Sequence, residues 1–431
     1  MCKQINPYTV QILVLQSGER LPLLSSRDTG LPLFEPTLYS ITELRAKGLS
    51  TATIQQALRS VMLMQLVLDQ MECDLNQRLL VGRLLEMGEI EEVVRYCRLK
   101  MEEIVDEDSI DAMPVKPTVV SIEKARMRFA SPHRQEEVSS ATTAIRIRYI
   151  RDYLKWRTTD RLLKLAPKDA IYTSLKTASD LVLRAFDART PSSSGRNTVN
   201  QREGLSPESL ARLLQVIEPT SPDNISKGVH VRERNALIIK WFLSLGVRRG
   251  ELLSIRISDI NFQRNEVLVA RRADNPEDPR QAQPNTKTKD RLLAMDGDLA
   301  ELTRRYIMGP RHAIKSARKH DYLFVANGSG APLTLSSVNK MFTSLRHKIP
   351  DLPDELVPHV CRYTWNDRFS EVMDKQQVPE EKEKKMRSRL MGWSETSNSA
   401  AVYTRRHIQR KAREASLDLQ RELNKGDQDE T

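Results

Sequence analysis

The spacing of apolar positions changes character several times along this chain. Residues 1–35 mix Val, Leu and Pro in short runs, and TVQILVL (9–15) and LPLF (31–34) predict short strands. From residue 36 apolar side chains recur every three or four positions, the spacing of one buried helix face. SITELRAKGLS (40–50), TATIQQALRSVMLMQLVLDQ (51–70) and NQRLLVGRLLEMGEIEEVVRYCRLK (76–100) follow this rule, with Ser50 or Thr51 available as an N-cap. The pattern weakens over 106–140, where Pro114, Pro117 and Pro132 interrupt it, and returns in ATTAIRIRYIRDYLKWRTTDRLLKL (141–165) and AIYTSLKTASDLVLRAFDAR (170–189). Residues 36–188 therefore read as an all-helical domain.

RTPSSSGRNTVNQREG (189–204) is polar and contains Ser and Gly, as a linker does. A new helix starts at LSPESLARLLQVIEP (205–219), where Ser206 and Pro207 form an N-cap and N1 pair. Two strand candidates follow, NEVLVARR (265–272) and DRLLAM (290–295), separated by a polar stretch. Helical spacing then continues to about residue 424, and KGDQDET (425–431) predicts a disordered tail. The expected fold is mainly α with a small β-sheet, an α+β class. It comprises an arm of open role (1–35), a helical domain (36–188), a linker (189–204), a mixed domain (205–424) and the tail.

The length of 431 residues allows two or three domains at about 150 residues each. Lys and Arg number 68 against 57 Asp and Glu, a formal net charge of +11 that favours a polyanionic partner. Aromatic residues make up only 5%, which argues against base stacking as the main contact. Cys2, Cys73, Cys97 and Cys361 show no CxxC spacing, so a zinc site has little support and reduced thiols are expected. There is no glycine-rich phosphate loop and no apolar run near 18 residues, and no signal peptide is expected. A cytoplasmic, nucleoid-associated protein without cofactor, metal or membrane contact is expected.

Several short stretches carry candidate chemistry, and each has an ordinary explanation when taken alone. The apolar helix ALIIKWFLSL (236–245) runs into Gly246, then Arg248, Arg249 and Glu251. Cations at a helix C-terminus suit the macrodipole. His359 and Arg362 are spaced i,i+3 and share a helix face, as many surface pairs do. Lys287 falls between the strand candidates, where hairpin tips are commonly charged, and Tyr403 lies in a short Ala/Val segment suited to core packing.

In order, however, these stretches give Arg, Lys, His-x-x-Arg and Tyr. LSLGVRRGELLSIRISDI (243–260) resembles the first arginine box of the tyrosine recombinases, the phage integrase family, with Arg248 at the catalytic arginine position. KTK before DRLLAM resembles the family's hairpin lysine and matches Lys287. PHVCRYTW (358–365) resembles the second box and matches His359 and Arg362. LMGWSETSNSAAVYTRRH (390–407) resembles the final segment, with Trp393 where the family often has histidine and Tyr403 as nucleophile. The resemblance spans roughly 205–410, and 36–188 is similar more loosely to the family's helical core-binding domain.

The resemblance implies a site-specific recombinase or integrase that cuts and rejoins double-stranded DNA through a 3′-phosphotyrosine, for integration or excision of a mobile element. It implies a homotetramer on paired sites, with accessory DNA-bending proteins as possible partners. A type IB-like topoisomerase and a non-catalytic DNA-binding protein are the competing readings. RIRYIRDYLKWR (146–157) and RRHIQRKAR (405–413) are the expected DNA-contacting stretches of the two domains, which would close on duplex DNA as a clamp.

Overall fold

The computed structural model describes residues 6–104, 136–192, 203–284, 288–394, 408 and 411–421. The chain forms two compact units, Met1–Arg196 and Asn197–Thr431. Both are mainly helical, and each carries one small antiparallel sheet.

In the first unit, β1 (Tyr8–Val14) and β2 (Arg20–Ser26) form a hairpin in which Tyr8 faces Ser26 and Val14 faces Arg20. The second strand is thus Arg20–Ser26, whereas LPLF was expected to form one. Pro32 makes a single bridge to Ser25, and Phe34 already opens helix α1 (Phe34–Tyr39). Pro36 fits the first turn of that helix, which takes the chain out of the sheet after the one bridge. The hairpin packs on α2 (Thr51–Gln70), and Tyr8, Val10 and Leu24 join the unit's apolar core.

The Ser50 hydroxyl accepts from the Thr53 amide and starts α2. Ile54, Ala57, Leu58, Val61, Met64 and Leu68 of this helix are buried. Residues 76–100 are not one helix. α3 (Leu75–Leu80) stops before Gly82, at φ +75°, and α4 (Met87–Arg98) follows. After α5 (Met101–Ile104), the long helix α6 (Ser140–Leu162) and α7 (Ala170–Arg189) complete the unit. Asp169 caps α7 by accepting from the Ile171 amide.

The arginines of α6 depart from the expected DNA-facing stripe. Arg146 donates to the carbonyls of Cys97 (3.2 Å) and Leu99 (2.7 Å). Arg151 pairs with Asp187 at 2.8 Å, and Arg157 donates to Asn76 Oδ1. Arg148 and Lys155 are the basic residues of the 146–157 stretch that remain exposed. Most of that positive charge ties α6 to neighbouring segments of its own unit.

The second unit begins with α8 (Pro207–Ile217), capped by Ser206 with Pro207 at its first position. α9 (Val229–Leu245) is its central helix and buries Leu237, Ile238, Trp241, Phe242 and Leu245. The short helix α10 (Arg249–Ser254) follows. A three-stranded sheet comes next: β3 (Ile260–Asn261), β4 (Glu266–Val269) and β5 (Arg291–Ala294), in the order β3-β4-β5. α11 (Gly297–Tyr306), α12 (Leu335–Lys348), α13 (Pro358–Lys375) and α14 (Glu380–Met391) complete the described core. Residues 411–421 are helical, and every one of them is on the exposed surface. Among the described residues no helix is long and apolar enough to cross a membrane.

Candidate active site

The site is assembled at the end of α9. Gly246 caps this helix in the left-handed region, at φ +60° and ψ 20°. A side chain there would be strained by conformation, and its Cβ would stand 2.9 Å from both Met391 Cε and Trp365 Cγ. Glycine therefore serves two ends: it turns the chain out of the helix and lets α13 and the end of α14 close against the turn. Arg248 follows two residues later as the N-cap of α10.

Glu251 fixes that turn. Its carboxylate accepts the Arg248 backbone N–H (2.9 Å) and the Arg248 guanidinium (3.2 Å). It also accepts the Thr288 hydroxyl (2.8 Å) and Arg291 Nη2 (2.8 Å). The carboxylate is completely buried. Burial pushes the acid's pKa up, but Arg291, with help from Arg362 and the Arg248 amide, outweighs it and holds the carboxyl at about 2. Glu251 is thus a charged group at the centre of a ring of donors. The adjacent cation takes another direction: Arg249 Nη1 donates to Asn339 on α12.

α13 supplies the second arginine. Pro358 starts the helix, His359 is half-buried on its first turn, and Arg362 lies one turn further in. The His359 ring stands edge-on to Tyr363 with centroids 5.0 Å apart. Arg362 is completely buried. Its guanidinium donates to the Gly246 carbonyl and reaches the Met391 carbonyl at 3.5 Å. The second arginine is therefore bonded to the same turn that presents the first. Trp365, on the same helix, donates its indole N–H to the Ser244 carbonyl at 2.9 Å and clamps the turn from another side.

The third wall is the end of α14. Gly392 caps it at φ +68°, and a Cβ there would stand 2.8 Å from Thr288 Cβ and 3.0 Å from Arg291 Nη1. The Gly392 carbonyl accepts the Lys289 amide at 3.2 Å. Trp393 comes next, 7% exposed, and packs with Met391, Tyr363, Trp365 and Leu390. Its ring lies over the Arg362 guanidinium, 5.4 Å from centroid to carbon.

Arg248, His359, Arg362 and Trp393 of the expected set are thus carried by three adjoining segments. Lys287 and Tyr403 lie outside the described residues; Thr288, next to Lys287 in sequence, belongs to the ring around Glu251. Sequence reasoning passed over Thr288 and Arg291. A signal for Arg291 was present: in the alternation of β5 it takes an inward position with Leu293, while Leu292 and Ala294 face out. A charged side chain on the buried face of a strand needs a buried partner, and here that is Glu251. Among the described residues no group of three or more His, Cys, Asp or Glu side chains is placed to hold a metal ion.

Several solved structures are similar to the chain. One is the crystal structure of XerA recombinase, 16% identical, covering 86% of this chain and 92% of that one, with a TM-score of 0.35. Another is a variant of the Tn1549 transposon integrase in complex with transposon right end DNA, 17% identical over 81% of this chain and 99% of that one, TM-score 0.41. A third is XerH site-specific recombinase bound to palindromic difH substrate, 18% identical over 77% and 84%, TM-score 0.39. No curated protein matches the chain. The model of the phage integrase family matches residues 205–410, the stretch that holds every box described above, and over that stretch the chain belongs to the phage integrase family.

Proposed function

We propose that the protein is a site-specific DNA recombinase or integrase that breaks and rejoins duplex DNA through a 3′-phosphotyrosine intermediate, serving integration or excision of a mobile element. Family membership supports DNA recombination as the activity. The observation that carries the finer reading is the Gly246 turn. It presents Arg248 on one side and accepts a hydrogen bond from Arg362 on the other.

The chemistry follows from those residue types. The Tyr403 oxygen attacks the scissile phosphorus, the Tyr O–P bond forms, the P–O5′ bond breaks, and the phenol proton is lost while the 5′ oxygen gains one. A phenol with an ordinary pKa near 10 costs about 4 kcal/mol to ionise at pH 7, and a cationic site lowers that cost. Arg248 and Arg362 neutralise charge gathering on the non-bridging oxygens. Guanidinium stays charged, and its planar fork matches phosphate. His359 manages a proton near neutral pH. Lys287 protonates the departing 5′ oxygen, and the Trp393 indole packs on the phosphate site. The energy of the broken bond is kept in the covalent ester, so rejoining needs no nucleotide.

Arg362 is shut off from solvent in the free protein, with Trp393 over it. A phosphate reaches it only after this cover shifts. Binding of target DNA should accordingly change Trp393 fluorescence. A homotetramer on paired sites belongs to the same reading.

Strand exchange between two labelled duplexes tests the proposal, and the wild-type chain should give recombinant product and a denaturant-resistant protein–DNA adduct. Tyr403→Phe should abolish both. Relaxation of supercoils without exchange would assign a type IB-like topoisomerase. DNA binding with no adduct would leave only a binding protein.

A further inference from the structure

We propose that Arg291 is a positioning residue for the reaction, acting through Glu251 on Arg248; the inference rests on the reading of this site as a phosphoryl-transfer centre. Among the described residues, Arg291 hydrogen-bonds to none of the groups expected to meet DNA. It joins the segments that carry them. Its Nη2 donates to Glu251 at 2.8 Å, its Nη1 to Thr288 Oγ1 at 2.9 Å, and its Nε to the Leu390 carbonyl at 2.7 Å. One guanidinium thus links the Arg248 turn, the strand that follows Lys287, and the last turn of α14 before Trp393.

The geometry leaves little slack. Arg291 and Glu251 are both buried. Thr288 donates to Glu251 and accepts from Arg291, so the three close a ring. The Gly392 backbone approaches Thr288 and Arg291 so closely that a Cβ would collide with them. Glu251 in turn holds Arg248 by both its amide and its guanidinium. Without Arg291 the carboxylate loses its strongest counter-charge and is free to pair more tightly with Arg248. That would pull the guanidinium away from a phosphate and cancel its charge. Arg291 therefore keeps Glu251 occupied, so that Arg248 is oriented by the carboxylate without being neutralised by it.

This role predicts a dependence on substrate charge that a purely structural role does not. The test uses the full-length chain and a duplex carrying a mapped cleavage site. The scissile group is either the ordinary phosphodiester or a methylphosphonate, in which a methyl group replaces one non-bridging oxygen and removes the negative charge. Single-turnover adduct formation, DNA affinity and thermal midpoint are measured for the wild type and for R291M, T288V and R248A. On the phosphodiester, R291M should react about 100-fold more slowly than the wild type, the range for a misplaced preorganised donor, with DNA affinity retained. On the methylphosphonate the deficit should shrink to about threefold, because the cation it misplaces is no longer required, and R248A should show the same pattern. T288V, which removes one hydroxyl from the ring, should repeat the pattern in milder form and serves if R291M does not fold. An equal deficit on both substrates would make Arg291 a structural residue and overturn the inference alone. No adduct from the wild type on the phosphodiester would overturn the phosphoryl-transfer reading and the inference with it.

Discussion

Compared side by side, the two units bury very different material. In the N-terminal unit α2 turns Ile54, Leu58, Val61 and Leu68 into an apolar core, and Arg20 and Glu89 are the only Arg, Lys, Asp or Glu residues buried among its described residues. The C-terminal unit buries Glu251, Asp278, Arg280, Arg291, Arg311, Arg362, Glu383 and Arg387, among others. Some of these pairs are plainly architectural. Arg280 bonds Asp278 and the carbonyls of Leu253 and Leu333, and Arg387 joins Glu383 and Ser370 between α13 and α14. Replacing a buried ion pair with apolar side chains is often neutral or stabilising, so stability alone does not call for so many. What buried charges supply is direction: each fixes its neighbours at set distances. The unit that holds the candidate site is the one built that way.

The contrast breaks most sharply at Arg362. Arg362→Ala should lower the rate of adduct formation about 1000-fold, as loss of one transition-state donor does, while DNA affinity is retained. Single-turnover cleavage beside a binding titration checks it, and parallel loss of both would make Arg362 a binding or folding residue. In the other unit, Leu58→Ala should destabilise its core by about 3 kcal/mol through the cavity it leaves. Hydrogen exchange should localise the loss to the N-terminal unit, and the cleavage rate of DNA already bound should not change.

A smaller effect is expected at Gly246→Ala. The left-handed backbone alone costs about 1–2 kcal/mol, to which the collision with Trp365 and Met391 adds. The melting temperature should fall, and adduct formation should slow because the Arg248 turn shifts. Last comes the Glu251 shift, whose contribution is fully present at neutral pH and is lost only in acid. Its folded pKa, about 2, lies below its ordinary 4.5. The stability this shift provides is therefore complete above about pH 4.5 and is lost as pH falls toward 2. Acid titration of amide protection in the C-terminal unit should show that loss, and Glu251→Gln should remove its pH dependence.

These contrasts also explain what could be read from the sequence. Helices whose cores are apolar announce themselves by spacing, so α2, α6, α7 and α9 were legible. The caps Ser50 and Ser206 were legible because each is a local demand on residue type. Arg248, His359, Arg362 and Trp393 stood out as ordered boxes, and the structure brings their segments together. What was missed depends on contacts between distant segments. The Arg291–Glu251 pair links residues 40 positions apart. The arginines of α6 look like a DNA-binding stripe until Cys97, Asp187 and Asn76 claim them. LPLF has the composition of a strand, but after the single Pro32–Ser25 bridge Phe34 already begins a helix.

In the proposed reaction two distant arginines serve one phosphorus attacked by one phenol. The most direct test is to trap the adduct on target DNA, digest both components, and identify by mass spectrometry the peptide that carries the nucleotide. A 3′-phosphodeoxynucleotide on Tyr403 is the predicted result. Attachment to any other residue would contradict the account, as would cleavage by water with no protein-linked product.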